Sequence, residues 1–91
     1  MAEVIITLKI MPNSPEVDLA KIEEEAKKKV EAFEGEVGKV EQEPVAFGLK
    51  SLNLIFVMDE KKGSTDKLED EISDIEGVKS VEVTDVRRAI G

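Results

Sequence analysis

From Glu3 to Met11 the chain alternates, with Val4, Ile6, Leu8 and Ile10 on one side and Thr7 and Lys9 on the other. A period of two is the signature of a half-buried strand. Pro12-Asn13-Ser14-Pro15 ends it with turn residues. The period then changes: Leu19, Ile22, Ala26, Val30 and Phe33 recur at spacings of three and four, the apolar stripe of a helix. Asp18, or Ser14 with Pro15 as first helical residue, is the expected N-cap. Lys21, Glu23, Glu24, Glu25, Lys27 and Lys28 fill the outer face, and Glu23–Lys27 and Glu24–Lys28 are favourable i,i+4 pairs. Gly35 is the expected C′ residue, free to take positive φ.

Glu36 to Ala46 reads as a second strand through Val37, Val40 and Val45, with a bulge at Gly38 and Pro44 suited to a sheet edge. Leu49 to Met58 is the strongest strand, with Leu52, Leu54, Phe56 and Met58 on one face and Ser51, Asn53, Ile55 and Val57 on the other. After the polar loop Asp59–Gly63, Ser64 or Thr65 caps a second helix whose stripe is Leu68, Ile72 and Ile75, and Gly77 stops it. Val78 to Val86 is the last strand, followed by a short basic tail, Arg87-Arg88-Ala89-Ile90-Gly91. The order is βαββαβ. Two helices covering one face of a four-stranded antiparallel sheet through right-handed crossovers predict an α+β, ferredoxin-like sandwich. At 91 residues the expectation is a single domain, 1–91.

Composition narrows the function. Apolar residues make up 41% of the chain, enough for a two-layer core but not for a large internal substrate pocket. No run of about eighteen apolar residues is present to span a membrane. The start lacks the basic and apolar segments of a signal peptide, so a cytoplasmic location is expected. There is no cysteine and no histidine. That removes thiolate chemistry, Cys-ligated metal and the usual neutral-pH general base, and argues against an enzyme. The net charge of −8 argues against nucleic-acid binding. With Phe33, Phe47 and Phe56 as the only aromatics, base stacking has little to work with. The same charge steers a basic partner toward the surface.

A fold of this kind hosts many activities, so the residues must choose. A metal chaperone needs Cys-x-x-Cys, and an RNA-recognition sheet needs aromatics beside basic residues. Gly35-Glu36-Val37-Gly38 follows a helix rather than opening one, so it is no phosphate loop. An acylphosphatase needs an arginine-bearing anion loop after the first strand, and Pro12-Asn13-Ser14-Pro15 lacks one. A small-molecule-binding regulatory domain stays open as the alternative.

Two features stand out. Asp66, Asp70 and Asp74 recur at i, i+4 and i+8 on the second helix, with Glu69, Glu71 and Glu76 nearby. Ca²⁺ or Mg²⁺ could relieve their repulsion, with Glu82 or Asp85 helping if they lie alongside; the plainer reading is a solvated face. The other feature is Phe47, set beside Gly48 where the chain must reverse. It either folds back to cap the sheet end or stands out as an anchor for a protein partner. Burying one Phe is worth roughly 1.5–3 kcal/mol, enough for a hot spot.

Pro44-Val45-Ala46-Phe47-Gly48-Leu49-Lys50, a following strand, and then Gly63-Ser64-Thr65-Asp66-Lys67-Leu68-Glu69-Asp70-Glu71-Ile72 resemble the translation elongation factor 1-beta family. The similarity is to its archaeal form and runs from the first strand to Arg88. The resemblance implies a ferredoxin-like guanine nucleotide exchange factor for the GTPase elongation factor 1-alpha, whose Mg²⁺ and phosphate region it disturbs so that GDP leaves. It implies no catalytic residues, no required cofactor, no direct nucleic-acid or membrane contact, and a monomer when free. Carried onto this chain, the partner-binding set is Pro44, Val45, Ala46, Phe47, Gly48 and Lys50, with Arg87 and Arg88. Eukaryotic members reach the Mg²⁺ site with a lysine near the C-terminus. This chain has arginines there, which are bulkier and planar, so the lysine's role does not transfer directly.

Overall fold

The computed structural model describes residues 3–45, 48–63 and 65–89, with Ala89 as backbone alone. Its elements are β1 (Glu3–Pro12), α1 (Leu19–Ala32), β2 (Glu36–Pro44), β3 (Lys50–Asp59), a 3₁₀ turn (Glu60–Lys62), α2 (Asp66–Ser73) and β4 (Val78–Ala89). The sheet order is β2-β3-β1-β4 and every pairing is antiparallel, which makes the ferredoxin-like sandwich. The core is the even-numbered face of β1 and β3 (Ile6, Leu8, Ile10, Leu52, Leu54, Phe56 and Met58) against Ile22, Ala26 and Val30 of α1 and Leu68 and Ile72 of α2. Alternation along the strands and three-four spacing along the helices place these side chains in one layer.

Local chemistry sets the element ends. Asp18 is the α1 N-cap, accepting the Ala20 N–H at 3.0 Å. The pairs Lys27–Glu23 and Lys28–Glu24 form on the outer face at 3.1 and 3.9 Å. β2 is a sheet edge with its register shift at Gly38, between Val37 and Lys39. Thr65 occupies the α2 N-cap position without a capping bond, because its hydroxyl donates to Glu69 four residues on, at 2.9 Å. Ser64 lies outside the described residues.

Two readings are corrected. Gly35 does not take the left-handed conformation at the end of α1; Glu34 does, with φ 67°. The Gly35 N–H bonds to Val30 O at 2.9 Å and the Glu34 N–H to Glu31 O at 3.0 Å. Those two bonds make a Schellman motif with Glu34 at C′. Gly35 is needed for closeness instead: a Cβ there would lie 2.9 Å from Val30 Cγ1 and 3.2 Å from Phe56 Cδ2. Second, Arg87 and Arg88 belong to no tail. β4 continues through them, with Arg87 opposite Ile5 and Arg88 opposite Val4. Backbone hydrogen bonds carry the ladder, so charged side chains at an edge are no obstacle to it.

Candidate functional site

The β2–β3 connection is built as a closed turn. Pro44 pairs with Lys50, and the Val45 N–H donates to the Leu49 carbonyl at 2.8 Å. Gly48 has φ 77°, a conformation that opposes any side chain. Below the turn, Asn53 Nδ2 donates to Glu43 Oε2 at 2.9 Å, and the buried Ser51 hydroxyl reaches Glu43 O at 3.4 Å. Pro44, Gly48 and Lys50 are exposed, and Val45 is 45% exposed. Ala46 and Phe47 lie outside the described residues. A groove of about 320 Å³ runs beside the turn, lined by Pro15, Val17, Leu19, Gln42, Gly48 and Lys50 among others.

The arginines sit at the other end. Lys50 is level with the finish of β1, whereas Arg88 pairs with Val4 near its start. Eight residues of strand separate the two levels, about 26 Å at a rise of about 3.3 Å per residue. The sequence-predicted set is therefore divided between opposite ends of the sheet. Arg87 Nε donates to Asp85 Oδ2 at 2.9 Å, on the sheet face away from the helices, and Arg88 Nη2 donates to Glu60 Oε1 on the helix side. Between them in character is a residue that periodicity passed over as a strand end: Val86 is opposite Ile6 yet 59% exposed. Val45 and Val86 are the large apolar side chains left exposed among the described residues, one at each end. An apolar residue followed directly by two arginines is the signal the sequence offered.

Nearby, Lys62 bonds Glu34 at 2.7 Å and lies 5.4 Å from the centre of the Phe33 ring. The hydrogen bond, and then the charge, of Lys62 hold the Glu34 carboxyl below its ordinary pKa. On β2 the hydrogen bond and charge of Glu41 raise that of Lys39.

The cation candidates do not converge. Glu82 and Asp85 pair with Lys9 and Thr7, on the face opposite to the one α2 covers, so they do not lie alongside Asp66, Asp70 and Asp74. Among the described residues, no group of three acidic side chains is placed to hold a metal ion. No helix among them is long and apolar enough to cross a membrane.

Comparison with known proteins settles the family. The family model of the EF-1 guanine nucleotide exchange domain matches residues 5–89. The chain belongs to that family. Elongation factor 1-beta of Methanothermobacter thermautotrophicus is 45% identical over 89 residues, covering 97% of this chain and 98% of its own. That of Methanobrevibacter smithii is 47% identical over 88 residues, with 97% and 98% covered. Elongation factor 1-beta of Methanocaldococcus jannaschii is 37% identical over 89 residues, covering 98% of this chain and all of its own. Among solved structures, the C-terminal domain of MgtC from Mycobacterium tuberculosis matches with TM-score 0.64 and 13% identity, over 96% of this chain and 87% of that one. The ACT domain from the GTP pyrophosphokinase of Chlorobium tepidum matches with TM-score 0.59 and 18% identity, over 89% and 97%. These two share the fold alone. The exchange-domain match favours nucleotide exchange over the small-molecule regulatory reading.

Proposed function

We propose that the chain, acting as a single domain over residues 1–91, promotes exchange of GDP for GTP on elongation factor 1-alpha by docking on the GTPase and weakening its hold on GDP and Mg²⁺. The match of the exchange-domain family across residues 5–89 is the observation that carries this reading. The turn is a suitable contact: the Val45–Leu49 hydrogen bond and left-handed Gly48 set the described backbone that brackets Ala46 and Phe47. Pre-ordering lowers the entropy cost of docking. Pro44, Val45, Ala46, Phe47, Gly48 and Lys50 form this contact, with Phe47 as its apolar wedge. The arginine end is a second contact, and its distance from the turn means that the two ends touch different places on the GTPase.

No chemical step belongs to the protein itself. An exchange factor works by coupling: it binds the nucleotide-free GTPase more tightly than the GDP-bound one, and GDP weakens its binding by the same factor. Each 1.4 kcal/mol of coupling, to about that precision, changes GDP affinity tenfold. On this reading the protein needs no cofactor, touches no nucleic acid or membrane, and works as a cytoplasmic monomer. The test is to load elongation factor 1-alpha from the same organism with fluorescent GDP, add the protein at micromolar concentration and follow release. Acceleration is expected, and a folded Phe47→Ala variant should lose most of it. Absence of acceleration by the unaltered protein would overturn the reading.

A further inference from the structure

The arginine end holds a side chain to which neither the strand pattern nor the turn motif points. Glu60 opens the 3₁₀ turn after β3, and that turn is fixed by Asp59, which accepts the Lys61 N–H at 2.9 Å. Glu60 in turn accepts from Arg88, 28 residues away. Strands β3 and β4 are not neighbours; they flank β1, and Asp59 and Ala89 both pair with Glu3. The Glu60–Arg88 pair therefore crosses over the start of β1 and straps the last residues of β4 to the far side of the sheet. This matters because β4 is an edge strand, held along one side only. It also carries a register shift between Val83 and Asp85, which leaves the segment from Asp85 to Ala89 as a short ladder beyond a bulge. Such an end frays readily. Arg87 points to the face opposite Arg88, because neighbouring strand residues alternate, and its ion pair is local, to Asp85.

We propose that Glu60 is a positioning residue for nucleotide exchange: by holding Arg88 it keeps the end of β4 in register, so that Arg87 is presented to the GTPase. This divides the work of the two arginines, with Arg87 as contact and Arg88 as strap, and it rests on the reading that the arginine end touches the GTPase.

The test is the fluorescent-GDP release assay run against increasing concentration of the protein. Glu60→Gln is expected to raise the half-saturating concentration about threefold, the size of effect an exposed ion pair supports. The maximal rate and the thermal midpoint should stay put. Amide hydrogen exchange at Arg87 and Arg88 should quicken in the same variant. The reversed pair, Glu60→Arg with Arg88→Glu, should restore both readouts, since the strap needs opposite charges rather than a particular order. Arg87→Ala should raise the half-saturating concentration by at least as much. If Arg87→Ala is impaired while Glu60→Gln behaves as the unaltered protein, the positioning role is wrong and the arginine contact stands. If Arg87→Ala is itself unimpaired, both fail. A Glu60→Gln defect that appears in maximal rate and thermal midpoint, and that the reversed pair does not repair, would make Glu60 a stability residue only and overturn the proposal.

Discussion

Replacing Gly35 by alanine and, separately, by asparagine tests how α1 ends. The added Cβ would stand 2.9 Å from Val30 Cγ1, 3.2 Å from Phe56 Cδ2 and 3.3 Å from the Val30 carbonyl oxygen. Carbon atoms prefer separations of about 3.5–4.0 Å, so the first contact is short by more than half an ångström. Val30 and Phe56 are both fully buried, and neither has solvent to move into. Overpacking of this kind costs about 1–3 kcal/mol. Reduced freedom of the unfolded chain returns about 0.4–1 kcal/mol. The net expectation is a loss of about 1–2 kcal/mol, or a fall in melting temperature of about 5–15 °C for a domain of this size. Thermal and urea unfolding followed by circular dichroism measure it. The asparagine variant separates the two explanations of the glycine. A residue needed for positive φ tolerates asparagine better than alanine. A residue needed for closeness does not, because the offending atom is the Cβ that both share. An asparagine variant clearly more stable than the alanine one would refute the packing explanation. Glu34→Gly, at the residue that does have positive φ, relieves that conformation but gives up the Lys62 pair, so its melting temperature should fall by less than that of Gly35→Ala.

Val86→Thr keeps the β-branched shape at an exposed position, so the fold should survive; as an apolar contact at the arginine end, its loss should raise the half-saturating concentration in GDP release about fivefold, and unaltered release would remove Val86 from the interface. The Glu34 carboxyl should titrate below the ordinary glutamate range by NMR and return to it in Lys62→Ala. Because its folded pKa is lowered, the pair stabilises above the unfolded carboxylate's pKa and stops doing so as pH falls through the folded value. The stability difference between Lys62→Ala and the unaltered protein should accordingly be larger at neutral pH and shrink in acid to what the Lys62–Phe33 contact contributes; a difference that grows as pH falls would contradict this sign.

What the sequence determined by itself was everything that short-range pattern carries. Strand and helix periods, the Asp18 cap, the two Glu–Lys pairs of α1, the bulge at Gly38 and the edge position of Pro44 are each set by residues within a few positions of one another. The turn motif and the start of α2 also pointed to the family that the full-length comparison then showed. Contacts between distant parts of the chain were a different matter. No local signal says that Glu60 meets Arg88, or that Gly35 must leave room for Phe56, since both depend on which strands flank which. Shifting the left-handed residue from Gly35 to Glu34 was a choice made by packing, which forbade a Cβ at one position and supplied Lys62 as a partner at the other. The predicted site fared likewise. Its members were readable as residue types, but strand direction and sheet order alone placed the turn at one end and the arginines at the other. Glu82 and Asp85 went to the face away from α2 for the same reason: alternation assigns a side, and only the assembled sheet decides what that side faces.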